Sequence, residues 1–175
     1  MVNAKALTDL YRHMEWADAA VWTAVLASAS GKTDAKLREG LYHLHVVQRA
    51  FLRAWRGEAR ETPYPKFADA PSLLAWGRTY YGDAVAYMGT LAGDKISQPM
   101  PVPWAAMVEK RLGRRPEPTT IGETALQVAL HSTYHRGQIN ARLGAVGGEP
   151  AAVDYIAWVW LGRPAAEWPR VVAPN

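Results

Sequence analysis

The chain has 175 residues, nearly half of them apolar, a formal charge of +4 and no cysteine. That length suits one domain spanning residues 1–175, with enough apolar material for a sizeable core. The missing cysteines exclude disulfides, thiolate metal ligands and cysteine nucleophiles, and they fit a cytoplasmic location. The N-terminal MVNAKALTDLYRHMEWAD carries charge throughout and lacks the basic start, apolar centre and small-residue cleavage site of a signal peptide. No apolar run approaches the roughly 18–20 residues of a membrane span, so no membrane partner is expected. The one concentrated basic cluster is Lys110, Arg111, Arg114 and Arg115, beside Pro116 and Pro118. No nucleic-acid module accompanies it, which disfavours nucleic acid as a partner. An acidic small molecule, or a thiol carrying carboxylates, would suit a basic rim.

Leu7, Leu10, Tyr11, Met14, Ala17, Val21 and Val25 recur at helical spacing and predict a first helix over 4–28, ended by Ser28, Ser30 and Gly31. His13 falls off that apolar stripe and reads as a rim residue. Thr33 and Asp34 can cap a second helix over 35–56, whose stripe runs through Leu37, Leu41, Leu44, Gln48, Phe51 and Trp55. It carries His43 and His45, which lie roughly 200° apart around a helix axis and cannot share one site. Periodicity does not choose between them, although His45 lies slightly nearer the stripe centre.

Residues 57–70 are turn-rich, and Pro71 suits the first turn of a third helix reaching about Leu91. Gly77 and Gly82 weaken that helix by about 1 kcal/mol each against alanine and allow a neighbour to come close. Residues 92–118 form a long proline-broken connection, in which Trp104, Met107, Val108 and Leu112 predict a packed short helix able to act as a lid. Thr120 with Glu123 forms a capping box that opens a fourth helix to about Leu143. The apolar tail DYIAWVWLG should pack across the bundle or against a partner subunit, and the residues from about Pro169 should be loose. Helices without a convincing strand predict an all-α four-helix bundle with a long helix 3–helix 4 connection and a packed C-terminal tail.

The fourth helix holds LQVALHSTYHRGQINARL, with His131 and His135 four apart on one face. Two imidazoles so placed can converge on one metal ion, but a zinc-type site needs a third or fourth protein ligand. A histidine on the second helix can supply it. The alternative is a pair of core histidines with hydrogen-bond partners.

YHLHVVQRAFLRAWRG, followed far downstream by HSTYHRGQI, resembles the DinB-like (YfiT-like) family of four-helix-bundle metalloproteins, as does the opening YRHMEWAD, with Asp18 where asparagine is frequent. The resemblance implies a divalent transition metal, zinc or nickel, held by one histidine of the second helix and by His131 and His135. The family histidine is usually followed five residues later by an acid and eight later by an aromatic. This pattern selects His43, with Gln48 a departure at the acidic position and Phe51 matching. Gln48, Glu15, Asp18 and Tyr134 are candidates to orient the ligands.

By the same resemblance the function is thiol chemistry of the S-transferase type, in which a low-molecular-weight thiol meets a small-molecule electrophile. A metal-dependent hydrolase is the alternative enzyme, and a non-catalytic stress-response or ligand-binding bundle with a structural metal is the alternative of another class. The resemblance and the apolar tail also imply a homodimer.

Overall fold

The computed structural model describes residues 3–59 and 61–170. Its helices are α1 (Ala4–Ala27), α2 (Ala29–Thr33), α3 (Ala35–Trp55), α4 (Ala70–Arg78), α5 (Tyr80–Gly89), α6 (Ala105–Leu112), α7 (Ile121–Ala145) and α8 (Tyr155–Trp160), with a 3-10 turn at Gly93–Ser97. The fold is all-α. The described residues contain one isolated β-bridge, Pro99 to Thr120, and no helix long and apolar enough to cross a membrane. The tail beyond Arg170, expected to be loose, lies outside the described residues.

Side-chain caps set most helix starts. Asn3 accepts from the Ala6 amide, Asp34 from Leu37, Asp69 from Ser72, and Thr120 with Glu123 closes the expected capping box on α7. Ser28 both ends α1 and caps α2 by accepting from the Gly31 amide, so Ser30 and Gly31 form an extra helical turn where a simple stop was expected. Asp34 also receives Arg142 from the end of α7, at 2.6 Å to Nη2 and 3.2 Å to Nε. That pairing holds the Asp34 carboxyl down at about 2.

Two apolar clusters fix the helix directions. One joins Leu7, Tyr11 and Met14 of α1 to Phe51 and Trp55 of α3, Tyr80 to Met88 of α5, and Ile121 to Val128 of α7. The other joins Val21 and Val25 of α1 to Leu37 to Leu44 of α3, Leu73 and Leu74 of α4, and Ile139 and Leu143 of α7. Thus α1 and α7 run one way, while α3 and the α4–α5 pair run the other. The link from α3 to α4 must therefore return along the whole length, which is why residues 56–69 form a long turn-rich loop. The connection from α5 to α7 begins and ends at the same end of the helices. There Trp104 packs edge-on against Phe51 at 4.8 Å. That contact lies eight residues from His43, or about 12 Å along α3.

Three expectations need correction. The third helix breaks at Thr79 into α4 and α5. Its Trp76 carbonyl accepts from the Thr79 hydroxyl and from the Arg49 guanidinium, which also lies 4.4 Å over the Trp76 ring. Side chains thus occupy the carbonyl that would bond Tyr80 in a continuous helix. The α6 segment has no buried residue, and Met107 and Leu112 are 67% and 61% exposed, so of the expected packing set only Trp104 packs against the core and Val108 is half-buried. His13 is buried, not at the rim: the tail lies across α1, where His13 Nε2–H donates to the Val153 carbonyl at 2.9 Å among the rings of Trp16, Tyr155 and Trp158.

Gly77 of α4 and Gly82 of α5 differ sharply. A Cβ on Gly77 would stand 2.5 Å from the His45 ring, whereas one on Gly82 would meet nothing within 4 Å. Gly77→Ala should therefore lower stability by about 1–3 kcal/mol despite its better helix propensity. Gly82→Ala should raise stability by roughly 0.5–1 kcal/mol. Urea unfolding of both variants checks the pair, and equal shifts of the same sign would contradict the packing described.

Candidate metal centre

At mid-height between the two apolar clusters lies a layer of polar side chains, and on its outer side three histidines meet. His131 and His135 sit one turn apart on α7, and His43 faces them from α3. The ring centroids are 4.3 Å apart for His131 and His135, 4.6 Å for His43 and His135, and 5.5 Å for His43 and His131. One ring nitrogen from each comes within 4.8 Å of the others. Small residues make this approach possible. Gly40, one turn before His43, lets Ile139, one turn after His135, come so close that a Cβ there would stand 3.2 Å from Ile139 Cγ1.

The triad is half-open to solvent: His43 is exposed, while His131 and His135 are half-buried. The Nε2 atom of His131 is buried without a hydrogen-bond partner. Burial is the main cause that lowers the His131 pKa, to about 4, with His135 and His43 adding to it. His135 is lowered as well, first by burial and then by His43, against a hydrogen bond that its ring donates to Gln138, which raises it. Both rings are thus held neutral at pH 7, the state in which imidazole donates to a metal. No cysteine, aspartate or glutamate joins the cluster among the described residues.

His45 has the other fate open to a histidine on α3. It is fully buried, and the Trp22 indole N–H donates to its Nε2 at 2.9 Å. An indole can only donate, so Nε2 carries the lone pair and Nδ1 the proton. Nδ1–H then donates to Gln48 Oε1 at 2.8 Å, which turns the Gln48 amide towards Asp18 Oδ2 at 2.8 Å, Tyr81 at 3.1 Å and Ser132 at 3.2 Å. Tyr81 also donates to Asp18 Oδ2, and Arg136 Nη1 pairs with Asp18 Oδ1 at 2.8 Å. The departure at position 48 is explained: an acid there would set a second carboxylate against Asp18, where an amide supplies a donor.

The residues singled out by the sequence are thereby sorted. The structure brings His43 to His131 and His135 and sends His45 inward. Gln48 and Asp18 bond the core, not the triad, and Glu15 accepts from the Trp168 indole at 3.2 Å. Tyr134 stands edge-on to His135 at 5.2 Å and accepts from Gln138. Arg136 and Ser132 belong to the buried layer. The signal for them was present in the sequence, since each directly follows a triad histidine on α7 and so turns about 100° away from it. Two clefts of about 880 and 530 Å³ flank α1, and no triad residue lines either.

These residues fit a divalent transition ion. They offer three ring-nitrogen donors, one of them buried and unpartnered, in a groove that solvent can enter. No protein-family model, curated protein or solved structure matches the chain. The site is therefore read from its own geometry.

Buried histidines give the metal-free protein a signature in pH. His13 and His45 are both lowered from 6.5, chiefly by burial, as is His131. The unfolded chain takes up protons first as pH falls below about 6.5, so stability is full above that value and declines below it. The Asp34 carboxyl acts only at lower pH, because Arg142 holds it at about 2. The melting temperature of the chelator-treated protein should fall between pH 7.5 and 5. A flat profile over that window would contradict neutral burial of these rings.

Proposed function

We propose that this protein is a divalent-metal-binding protein of the DinB-like four-helix-bundle type, with His43, His131 and His135 as the ligands. The observation that carries the reading is the convergence of the three rings around the unpartnered Nε2 of His131. Neutral imidazoles without a neighbouring carboxylate would leave the charge of the ion uncompensated, which favours an anionic fourth ligand. The exposure of His43 supports a reactive site over a structural pin, because closed structural sites use four protein ligands.

The finer reading is thiol chemistry of the S-transferase type in a single domain. A zinc or nickel ion bound there supplies a positive charge that favours the thiolate form of a low-molecular-weight thiol. The protein's own part is to keep His131 and His135 neutral, to hold the three nitrogens together, and to leave the groove open on the His43 side for thiol and electrophile. Leu130 and Tyr134, both well exposed, form an apolar row beside the His131–His135 row and suit the apolar part of such an electrophile. The tail supports a homodimer, since Trp160 is 78% exposed and Leu161 is also bare. A cytoplasmic location accords with the absence of cysteine.

Elemental mass spectrometry on untagged protein tests the metal reading. The wild type should hold about one equivalent of a transition metal. His43→Ala and His131→Ala should lose it, and Val25→Ala, in the apolar cluster away from the triad, should keep it. Metal-free wild type after reconstitution would return the triad to an ordinary histidine cluster. Loaded protein is then assayed for transfer of a thiol to a model electrophile. Turnover that persists in metal-free His131→Ala would remove the transferase reading, and ester hydrolysis without added thiol would favour the hydrolase.

A further inference from the structure

We propose that Ser132 and Arg136 are positioning residues for the metal centre: they fix the rotation of α7 about its axis and so aim His131 and His135 at His43. This rests on the reading of the triad as a metal centre. Each follows one of the two histidines in sequence, and each is anchored to a different helix. Ser132, 1% exposed, accepts from Gln48 Nε2 of α3 at 3.2 Å. Arg136, 2% exposed, pairs with Asp18 of α1 at 2.8 Å and donates through Nη2 to Thr133 at 2.8 Å.

Gln48 lies five residues beyond His43 on α3, so its bond to Ser132 ties the two ligand-bearing helices together at the level of the site. Rotation of α7 by one residue step, about 100°, would exchange the histidine row for the Ser132–Arg136 row. Such a rotation would strand the Asp18 carboxylate in the interior. The apolar contacts above and below do not forbid a smaller rotation, because apolar packing is not directional. The hydrogen bonds and the ion pair are directional, so they set the angle. Through Gln48, the proton on His45 Nδ1 contributes as well, because it decides which end of the amide faces Ser132 and Asp18.

The test is titration of chelator-treated protein with Co²⁺, read by visible absorption, which reports both affinity and ligand geometry. Ser132→Ala removes the α3–α7 bond and strands no charge, since Gln48 keeps Asp18 and Tyr81 as acceptors. Arg136→Lys keeps a cation beside Asp18 and gives up the planar fork and the Thr133 bond. Val25→Ala, in the apolar cluster away from the triad, serves as a variant destabilised for reasons unrelated to the site. Ser132→Ala should bind Co²⁺ roughly tenfold more weakly than the wild type, with a shifted absorption band. Arg136→Lys should weaken binding as well, and Val25→Ala should bind as the wild type does. Unchanged affinity and spectrum in both Ser132→Ala and Arg136→Lys would overturn the proposal, as would losses no larger than that of Val25→Ala. A wild type that binds no Co²⁺ instead fails the metal reading, and this inference falls with it.

Discussion

The ion pair between Asp18 and Arg136 is the constraint around which the interior is arranged. Both groups are almost wholly buried, and a buried charge left alone costs about 3–5 kcal/mol. The carboxylate therefore collects every donor in reach: Arg136 on one oxygen, Gln48 and Tyr81 on the other. Because these donors come from α7, α3 and α5, one side chain on α1 fixes how the four helical units face one another. The apolar clusters on either side supply most of the burial but little of the orientation. Hydrophobic contact tolerates sliding and rotation, whereas a charged pair and its hydrogen bonds do not.

The polar layer also explains why two histidines on one helix meet opposite ends. His45 turns inward, where an indole donor and an amide acceptor satisfy both ring nitrogens, and Gly77 leaves room for its ring. His43 turns outward to the groove between α3 and α7. There the neighbouring rings crowd it and give His131 Nε2 nothing to bond. Inside, both nitrogens of His45 are used up by the protein. Outside, at least one is left for something else. The two environments thus differ in the bonding of the ring nitrogens, not in burial alone.

The tail completes the inner layer from the other side. Trp158 and Tyr155 cover His13, and Trp168 packs at a tilt against Tyr81, whose hydroxyl reaches Asp18. Residues that look peripheral in sequence therefore roof the same polar layer that the triad borders.

What the sequence by itself determined follows from local geometry. Helical spacing located α1, α3 and α7, the Thr120–Glu123 box marked where α7 begins, and the four-residue interval placed His131 and His135 on one face, because a helix converts sequence separation directly into direction. What only the tertiary structure decided depends on partners distant in the chain. Periodicity leaned towards His45, and a family likeness towards His43; the packing of α7 against α3 separates them, since only a second helix distinguishes the groove from the interior. The burial of His13 required a tail more than a hundred residues away. The break at Thr79 required Arg49 from α3, and the bareness of α6 reflects a connection that starts and ends at one end of the helices and finds little to cover. Asp18 and Gln48 stood out in the sequence as candidates to orient the ligands, and they joined Ser132 and Arg136 in a buried network only when three helices set their donors and acceptors within hydrogen-bond reach.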